Sequence, residues 1–310
     1  MQVVAKHPAE RLAEKRSREV QMEHERQVVA EHYQHKPEIF MRVLDARLAY
    51  ATAVYLEDGE DLDAAQERKF ARLATKLDLR PGETLLDVGC GWGSNLLYLA
   101  QHTEGVAFHG ITLSSEQAQI ARKRAEDWGV ADKVTIEVRH VETLDLPDES
   151  YDAVLFSGSI VHMHSRAEIH QMVGRILKPG GRLLISDCYY PAVNRGDRDS
   201  SATQYIFVTA LGYCKLTTLS EELAFIEDSG LDIVHVEDLT ESYVRTLGAW
   251  IDNVREHRSW IDEQSPGFSK LLQTYMTIAR LSFHKRTALE YMILGVKGRP
   301  RTNYGTWPIP

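Results

Sequence analysis

The stretch LLDVGCGWG at residues 85–93 decides the fold of this chain. A strand pattern ends at Val88, and Gly89, Gly91 and Gly93 follow before a helical pattern begins. Glycines lack a Cβ atom, so the backbone can turn tightly and approach a ligand closely. Open α/β sheets bind their ligands at the carboxyl ends of the strands. The stretch therefore predicts a nucleotide-binding loop between a strand and a helix.

Strand and helix patterns alternate around this loop. The strand patterns are nearly continuous in apolar residues and cover 84–88, 106–111, 133–138, 151–156 and 181–187. Helical patterns separate them at 94–101, 115–128 and 166–177. Such alternation predicts the α/β class, with a doubly wound, mostly parallel sheet that helices cover on both faces. Later patterns predict a short helix, then a strand, two longer helices and a last strand at 220–230, 231–239, 242–259, 267–285 and 290–298.

Three further segments flank or interrupt this main domain of residues 61–298. Residues 1–60 are predicted to form a helical N-terminal extension, because 8–35 are dense in charge and contain few helix breakers. The apolar stripe of that helix is thin. Such a thin stripe is compatible with a solvated helix, with a helix that covers the active site, or with a helix that packs on a second subunit. We expect a homo-oligomer. A cap insertion is predicted at about 188–218, and an irregular tail at 299–310.

Composition excludes several classes of function. The 310 residues are 43% apolar and 26% charged, which is an ordinary globular balance. The net charge of −9 does not suit a nucleic-acid binder or firm docking on anionic lipid. No apolar run approaches the ~20 residues of a membrane helix, so no stable membrane insertion is expected. Three widely spaced cysteines favour a reducing compartment and a cytoplasmic protein.

The glycine loop has more than one interpretation by itself. A nicotinamide oxidoreductase uses the spacing G-x-G-x-x-G, whereas position 94 here is Ser. Such an enzyme also needs an acid at the end of the second strand, which here ends in Gly110-Ile111-Thr112. The loop could also be a tight turn that holds no ligand, or it could belong to an inactive binding module.

The order of motifs resembles class I S-adenosylmethionine-dependent methyltransferases. It runs through DVGCGWG, then FHGITLSSEQ (108–117), HVETLDLP (140–147) and ILKPGGRLLISD (176–187). The similarity is closer to the group of cyclopropane fatty acid synthases, mycolic acid cyclopropane synthases and coclaurine N-methyltransferases. It rests on AQERKFARLATKLDLRPGETLLDVGCGWG (65–93), G-x-T-x-S-x-x-Q (110–117) and YVRTLGAW (243–250). The resemblance covers about residues 45–298 and implies a Rossmann-like methyltransferase domain with S-adenosylmethionine as cofactor.

The resemblance implies cofactor contacts at the glycine loop and before the first long helix. Gly89, Gly91 and Trp92 would line the methionine part of the cofactor. Tyr50 falls where the family's Tyr-Ser pair approaches the amino acid end. Ala51 stands at the second position of that pair, so one hydroxyl contact of the family is lost.

Further contacts are implied after the second and third strands. Thr112 and Gln117 would hold the ribose in place of the usual acid, and Val141 and Glu142 would lie beside the adenine. Ser114 is instead expected to cap the helix that follows, which is compatible with binding by Gln117.

The segment 156–171 follows the fourth strand, where this fold places its catalytic groups. Cyclopropane synthases carry a Glu-His pair here, and the Glu helps to hold a bicarbonate base. This sequence has Val161-His162, and the family's nearby cysteine is replaced in Tyr50-Ala51-Thr52. His162 is left as the candidate proton acceptor, because an imidazole titrates near neutral pH. A hydrogen-bonded pocket histidine without catalytic duty is the alternative.

Aromatic residues are concentrated in the predicted cap. Tyr205 is the cap's candidate for the site, and Tyr243 is the candidate from the family motif, because aromatic faces stabilise a positive centre. The alternative is that half of the aromatic residues belong to the core. The cap residues concerned are Tyr189, Tyr190, Tyr205, Phe207 and Tyr213.

No metal site is expected. His162, His164 and His170 lie close together, but no Cys, Asp or Glu is spaced near them as in a ligand set, and Glu168 belongs to the following helix.

These observations predict a methyltransferase of secondary metabolism that uses S-adenosylmethionine. The aromatic cap and His162 favour C-methylation of an alkene carbon in a small apolar metabolite, prenylated or lipid-like. A small-molecule N-methyltransferase is the first alternative within the family, and a cyclopropane synthase is the second.

Overall fold

The computed structural model describes residues 37–192 and 214–298. The predicted helix at 8–35, the tail at 299–310, and Tyr205 with most of the cap at 188–218 lie outside the described residues.

One seven-stranded sheet forms the centre of the described structure, with the strand order β3-β2-β1-β4-β5-β7-β6. Strands β1 to β5 are parallel, and β7 pairs in antiparallel register with both β5 and β6. This confirms the predicted doubly wound, mostly parallel α/β sheet. The strands are β1 Thr84–Val88, β2 Ala107–Thr112, β3 Val134–Val138, β4 Tyr151–Ser157, β5 Leu177–Tyr189, β6 Asp232–Asp238 and β7 Leu289–Val296.

Helices lie before, between and after these strands. Several begin at the polar caps that the sequence offers: the Asp61 carboxylate accepts a hydrogen bond from the Ala64 amide at 2.7 Å, and Thr218 and Glu221 form a capping box. The helices are α1 Pro37–Val43, α2 Leu62–Leu77, α3 Ser94–His102, α4 Ser115–Asp127, α5 Arg166–Ile176, α6 Leu219–Asp228, α7 Thr240–Glu256, α8 Arg258–Gln264 and α9 Phe268–His284.

Helices α7, α8 and α9, residues 240–284, are inserted between β6 and β7, and we call them the helical lobe. The lobe has its own apolar core around Leu247, Trp250 and Met276, all fully buried. Helix α1 packs on this core through Phe40. The sequence predicted two helices here, at 242–259 and 267–285; the first ends at Glu256, and the separate helix α8 was not predicted. It did not predict that they stand beside the glycine loop, whose Trp92 side chain joins the same core.

The two described ends of the cap are held together. The Tyr190 amide donates to the Thr217 carbonyl at 2.8 Å. Beneath this contact, Glu222 accepts hydrogen bonds from the Arg166 guanidinium at 2.6 Å and from the His170 ring at 2.9 Å. All three of these charged or polar side chains are at most 3% exposed. This Arg–Glu–His cluster joins α5, α6 and the end of the cap.

Candidate cofactor and acceptor site

The glycine loop after β1 is open above Gly91. Gly89, Gly91 and Gly93 have φ angles of +82°, +54° and +79°, a region that L side chains adopt at a cost. A Cβ atom at Gly89 would lie 2.5 Å from Ser159 Cβ, so packing requires this glycine. Among the described residues, a Cβ atom at Gly91 would meet only the side-chain amide of Gln117, whose Nε2 lies at 3.8 Å. The space above Gly91 therefore fits a ligand that a larger side chain would displace.

Thr112 and Gln117 meet at the end of β2. The Thr112 hydroxyl donates to Gln117 Oε1 at 2.9 Å, and both side chains are buried. Ser114 caps α4, since its Oγ accepts a hydrogen bond from the Gln117 amide at 3.2 Å. The expected division holds, with Ser114 as the cap and Gln117 beside the glycine loop. The ribose contact of Thr112 and Gln117 stays a prediction.

Val141 and Glu142 lie on a single 3-10 turn after β3. Val141 is buried and Glu142 is half-buried. His140 fixes the turn, because its Nδ1 accepts a hydrogen bond from the Glu142 amide at 3.2 Å. The Arg139 amide donates to the Thr112 carbonyl at 2.9 Å. The structure thus brings the adenine and ribose candidates to the same edge of the sheet.

Asp87, at the end of β1, is a site residue to which the sequence analysis gave no role. It is 1% exposed, and neither carboxyl oxygen has a hydrogen bond of normal geometry within the described residues. Burial raises its pKa to about 7, although Asn95 and the Lys69 ammonium partly offset this. Lys69 is also buried, which lowers its pKa to about 8. A buried carboxyl group beside the glycine loop fits a positively charged ligand such as S-adenosylmethionine.

Tyr50 and Trp92 form the aromatic border between the loop and the helical lobe. The Phe40 ring lies 5.2 Å from that of Trp92 and 5.7 Å from that of Tyr50, between ring centroids. Tyr50 also lies 5.2 Å from Trp250. The Trp92 side chain is 5% exposed and packs into the lobe. Tyr50 is half-buried, and its cofactor contact stays a prediction.

His162 lies half-buried on a short 3-10 turn after β4. Asp187, at the end of β5, holds that turn, because its Oδ2 accepts hydrogen bonds from the Ile160 and Val161 amides at 2.9 and 3.4 Å. Burial raises the pKa of Asp187, while the Cys188 amide and the nearby His162 lower it. The predicted proton acceptor is therefore next to a buried carboxyl group that the sequence analysis did not assign.

Tyr243 lies on α7 between Trp250 and Phe283, with ring centroids 6.2 and 4.6 Å away. Burial raises its pKa, and the nearby Tyr50 and Glu290 add to this effect. Tyr243 and Tyr50 pack against the same apolar cluster, and the catalytic role of Tyr243 stays a prediction. Of the predicted cap aromatics, Tyr189 is fully buried and packs on Tyr291, as the core interpretation predicted for part of that set.

Glu290 on β7 is the third carboxyl group, after Asp87 and Asp187, that sequence reasoning missed at this edge. It is 2% exposed and pairs in register with Cys188 on β5. Burial and the neighbouring Asp187 raise its pKa to about 8. Only the pairing of β5 with β7 brings it here, and no local sequence pattern signals that pairing.

Comparison with known proteins identifies the family. Residues 20–291 match the family model of mycolic acid cyclopropane synthetase, and the chain belongs to this family. Its fold and family define the class, which is the S-adenosylmethionine-dependent methyltransferases. This membership excludes a nicotinamide oxidoreductase.

Three particular proteins illustrate the similarity. A probable fatty acid methyltransferase of Mycobacterium tuberculosis is 31% identical over 282 residues, which span 89% of this chain and 64% of that protein. A mycolic acid cyclopropane synthase complexed with SAH and CTAB superposes with a TM-score of 0.82 at 21% identity, covering 88% of this chain and 98% of the other. A geranyl diphosphate methyltransferase in complex with SAM has a TM-score of 0.64 at 20% identity, covering 80% and 98%.

Two further features concern metal ions and membranes. No group of three or more His, Cys, Asp or Glu side chains among the described residues is arranged to hold a metal ion. His170 is instead engaged with Glu222. None of the helices in residues 37–192 and 214–298 is both long and apolar enough to cross a membrane.

Proposed function

We propose that the chain methylates an alkene carbon of a small apolar acceptor, prenylated or lipid-like. The observation that carries the proposal is the cluster of aromatic rings formed by Tyr50, Tyr243 and Trp250. Aromatic faces attract a positive centre, and methylation of an alkene leaves a carbocation on the acceptor. The similarity to a probable fatty acid methyltransferase supports an apolar acceptor.

We call the residues at the ends of β1, β2 and β3, together with Tyr50, the cofactor half of the site. These residues would hold S-adenosylmethionine. The cofactor supplies a methyl group already activated on sulfur, so the protein's task is to align the acceptor and exclude water. Gly91 would give the methionine part room, and Gly89, Trp92 and Tyr50 would line it. Asp87 would offer its buried carboxyl group. Thr112 and Gln117 would hold the ribose, and Val141 and Glu142 the adenine.

Val161 supports simple methylation over ring closure. Cyclopropane synthases, which this chain resembles, have a carboxylate at this position that helps to hold an anionic base. The Val161 side chain cannot accept a hydrogen bond or hold an anion. The acceptor proton would then leave to a side-chain base, for which His162 is the predicted candidate.

An N-methyltransferase is the second candidate function, and one observation favours it. Asp187 and Glu290 place two buried carboxyl groups near Tyr50 and Tyr243. Carboxyl groups with aromatic faces also suit an ammonium group on an amine acceptor.

Product analysis with a trideuteromethyl donor tests the proposal. A candidate metabolite pool is incubated with the enzyme, and the labelled products are identified by mass spectrometry. Retention of all three deuterium atoms on a methylated alkene, or on a rearranged skeleton, is the expected result. A cyclopropane that has lost one deuterium would restore the ring-forming function, and labelled amines would establish the N-methyltransferase.

We also propose that the protein is a cytoplasmic homo-oligomer, with the N-terminal helix packed on or exchanged with a second subunit. The charged stretch at 8–35 and the odd number of cysteines support this proposal.

A further inference from the structure

A thiol and a carboxyl group face each other where β5 pairs with β7. Cys188 Sγ donates to Glu290 Oε2 at 3.1 Å. The Ser186 hydroxyl donates to Glu290 Oε1 at 3.2 Å. Each carboxyl oxygen therefore accepts a hydrogen bond from β5, and the orientation of the carboxyl group is set by its neighbours.

A buried hydroxyl group approaches this pair from the other side. Thr52 is 3% exposed, and its hydroxyl lies close enough to Glu290 to lower the pKa of that carboxyl group. It makes no hydrogen bond of normal geometry within the described residues. A buried polar group without a partner costs free energy, so this arrangement suits a site that takes up a ligand or a proton.

Cys188 and Glu290 differ in how far they are exposed. Glu290 is 2% exposed, whereas Cys188 is half-buried and borders the same apolar cluster as Tyr50 and Tyr243. The thiol is therefore the more exposed member of the pair and lies on the side of Tyr50 and Tyr243, and the carboxyl group is the more deeply buried one.

We propose that Cys188 and Glu290 form a proton relay that removes the proton released from the acceptor by methylation, an inference that rests on the proposed function. The acceptor π electrons form the bond to the methyl carbon, and the electron pair of the broken carbon–sulfur bond stays on the cofactor sulfur. A C–H bond next to the resulting carbocation then breaks, and its electrons form a new double bond. The proton bonds to Cys188 Sγ while the thiol proton moves to Glu290 Oε2.

The electrostatics around Glu290 suit a proton acceptor. Burial and the nearby Asp187 raise its pKa to about 8, close to the value that a general base needs near neutral pH. A positive charge brought close to the carboxyl group favours its ionised form. Binding of the cofactor sulfonium would therefore prepare Glu290 to accept a proton. The titratable groups that face it from the packed elements are Asp187, Cys188 and Tyr189 on β5, Lys69 on α2 and Tyr243 on α7.

Four variants separate the relay from a merely structural pair. Glu290→Gln keeps the shape but cannot take up the proton, and Cys188→Ala removes the connecting group. Each should lower turnover by about 10²–10⁴-fold while cofactor affinity is retained. Cys188→Ser keeps a group that passes a proton and should recover most of the turnover. His162→Ala, measured beside them, tests the other candidate base.

A matched control removes the same chemical group outside the pair. Glu237→Gln changes a carboxyl group of β6 that pairs with Arg72. This control should not change turnover. Calorimetric cofactor affinity and a thermal melt show for each variant that the protein is folded.

Proton release provides a readout that is independent of turnover. Binding of S-adenosylmethionine and of S-adenosylhomocysteine is measured at pH 7.5 by calorimetry in buffers of different ionisation enthalpy. The two ligands differ in the charge on sulfur. The wild type should release more protons with S-adenosylmethionine, and Glu290→Gln should reduce the difference to the part that the buried Asp87 contributes.

The outcomes distinguish the relay from the proposed function. Full turnover of folded Glu290→Gln and Cys188→Ala, or equal proton release by the wild type with both ligands, overturns the relay and leaves alkene methylation intact. If the wild type methylates amines and both variants lose turnover, the relay stands and alkene methylation fails. If Glu290→Gln does not fold, the loss of turnover in Cys188→Ala and its recovery in Cys188→Ser decide the question.

Discussion

The cofactor half and the acceptor half of the site are built in different ways. Apart from Tyr50, the proposed cofactor half comes from the ends of three neighbouring strands, β1, β2 and β3, and its residues lie close together in the sequence between Asp87 and Glu142. The acceptor half is collected from distant parts of the chain, including Thr52, the β5–β7 pair and the helical lobe. The first half depends on local turns, whereas the second depends on long-range packing.

This difference has a consequence for substitutions. A change in the cofactor half acts through the shape of one loop, so its effect on binding should leave the remaining structure intact. A change in the acceptor half, or in the packing that supports it, should affect turnover or stability before it affects cofactor affinity. The following predictions test that separation.

The largest effect is expected from Gly91→Val in the cofactor half. The valine side chain would fill the space above the loop, and its backbone would be strained at a φ of +54°. Cofactor binding, measured by calorimetry, should be lost while the protein stays folded. Gly129→Val is the matched control, since Gly129 has a φ of +68° and open space around it, away from the loop. Unchanged affinity in Gly91→Val would show that the site lies elsewhere.

The next effect is expected from His162→Ala in the acceptor half. If His162 is the base, turnover should fall by about 10²–10⁴-fold with cofactor affinity unchanged. His164→Ala removes the neighbouring half-buried histidine and should have little effect. Normal turnover in His162→Ala would support the alternative of a pocket histidine without catalytic duty.

Glu222→Gln tests the packing beneath the cap. The substitution leaves the buried Arg166 without its carboxylate, which should lower the free energy of unfolding by about 3–5 kcal/mol. Burial by itself raises the pKa of Glu222, but His170 and Arg166 more than offset this and hold it below its ordinary value.

The sign of the pH dependence follows from that lowered pKa. The stability that ionised Glu222 contributes is present above its unfolded pKa of about 4.5 and is lost as the pH falls through the folded pKa. Urea unfolding of the wild type should show this loss below about pH 4.5, and Glu222→Gln should show less of it. Parallel curves for the two proteins would contradict the prediction.

The smallest effect on chemistry is expected from removing residues 1–30. If the charged helix packs on a second subunit, the truncated protein should have a lower oligomer mass, a lower activity or both. Light scattering and turnover measure the two effects. A truncated protein with unaltered mass and turnover would contradict the proposed role of this helix.

Sequence reasoning succeeded where the structure is local. The strand at 84–88 and the starts of the helices at Ser94, Ser115 and Arg166 were predicted at the observed residues. Glycines and polar cap residues lie directly before these helices, so a short stretch of sequence marks where each helix begins. The β5 strand was predicted at 181–187 but extends over Leu177–Tyr189, because its ends pair with Tyr151 and with β7. The apolar pattern of β5 does not reveal which residues its ends pair with, so its full length could not be predicted.

The missed site residues have a common physical cause. Asp87 and Lys69 stood within the quoted motifs, but only the folded structure shows that both are buried near one another. Cys188 counted in the sequence only as one of three widely spaced thiols, and Glu290 only as the start of a strand. The antiparallel register of β5 and β7 turns those two into neighbours.

The position of β7 between β5 and β6 also determines when the strands of the sheet can pair during synthesis. During synthesis the segments of β1 to β5 leave the ribosome first, so the loop around Gly91 is available early. Until residues 289–296 emerge, β5 and β6 each keep an unpaired strand edge, which is a template for pairing with another chain. The nascent protein would thus be most prone to aggregation before β7 has emerged and paired, and that strand also brings Glu290.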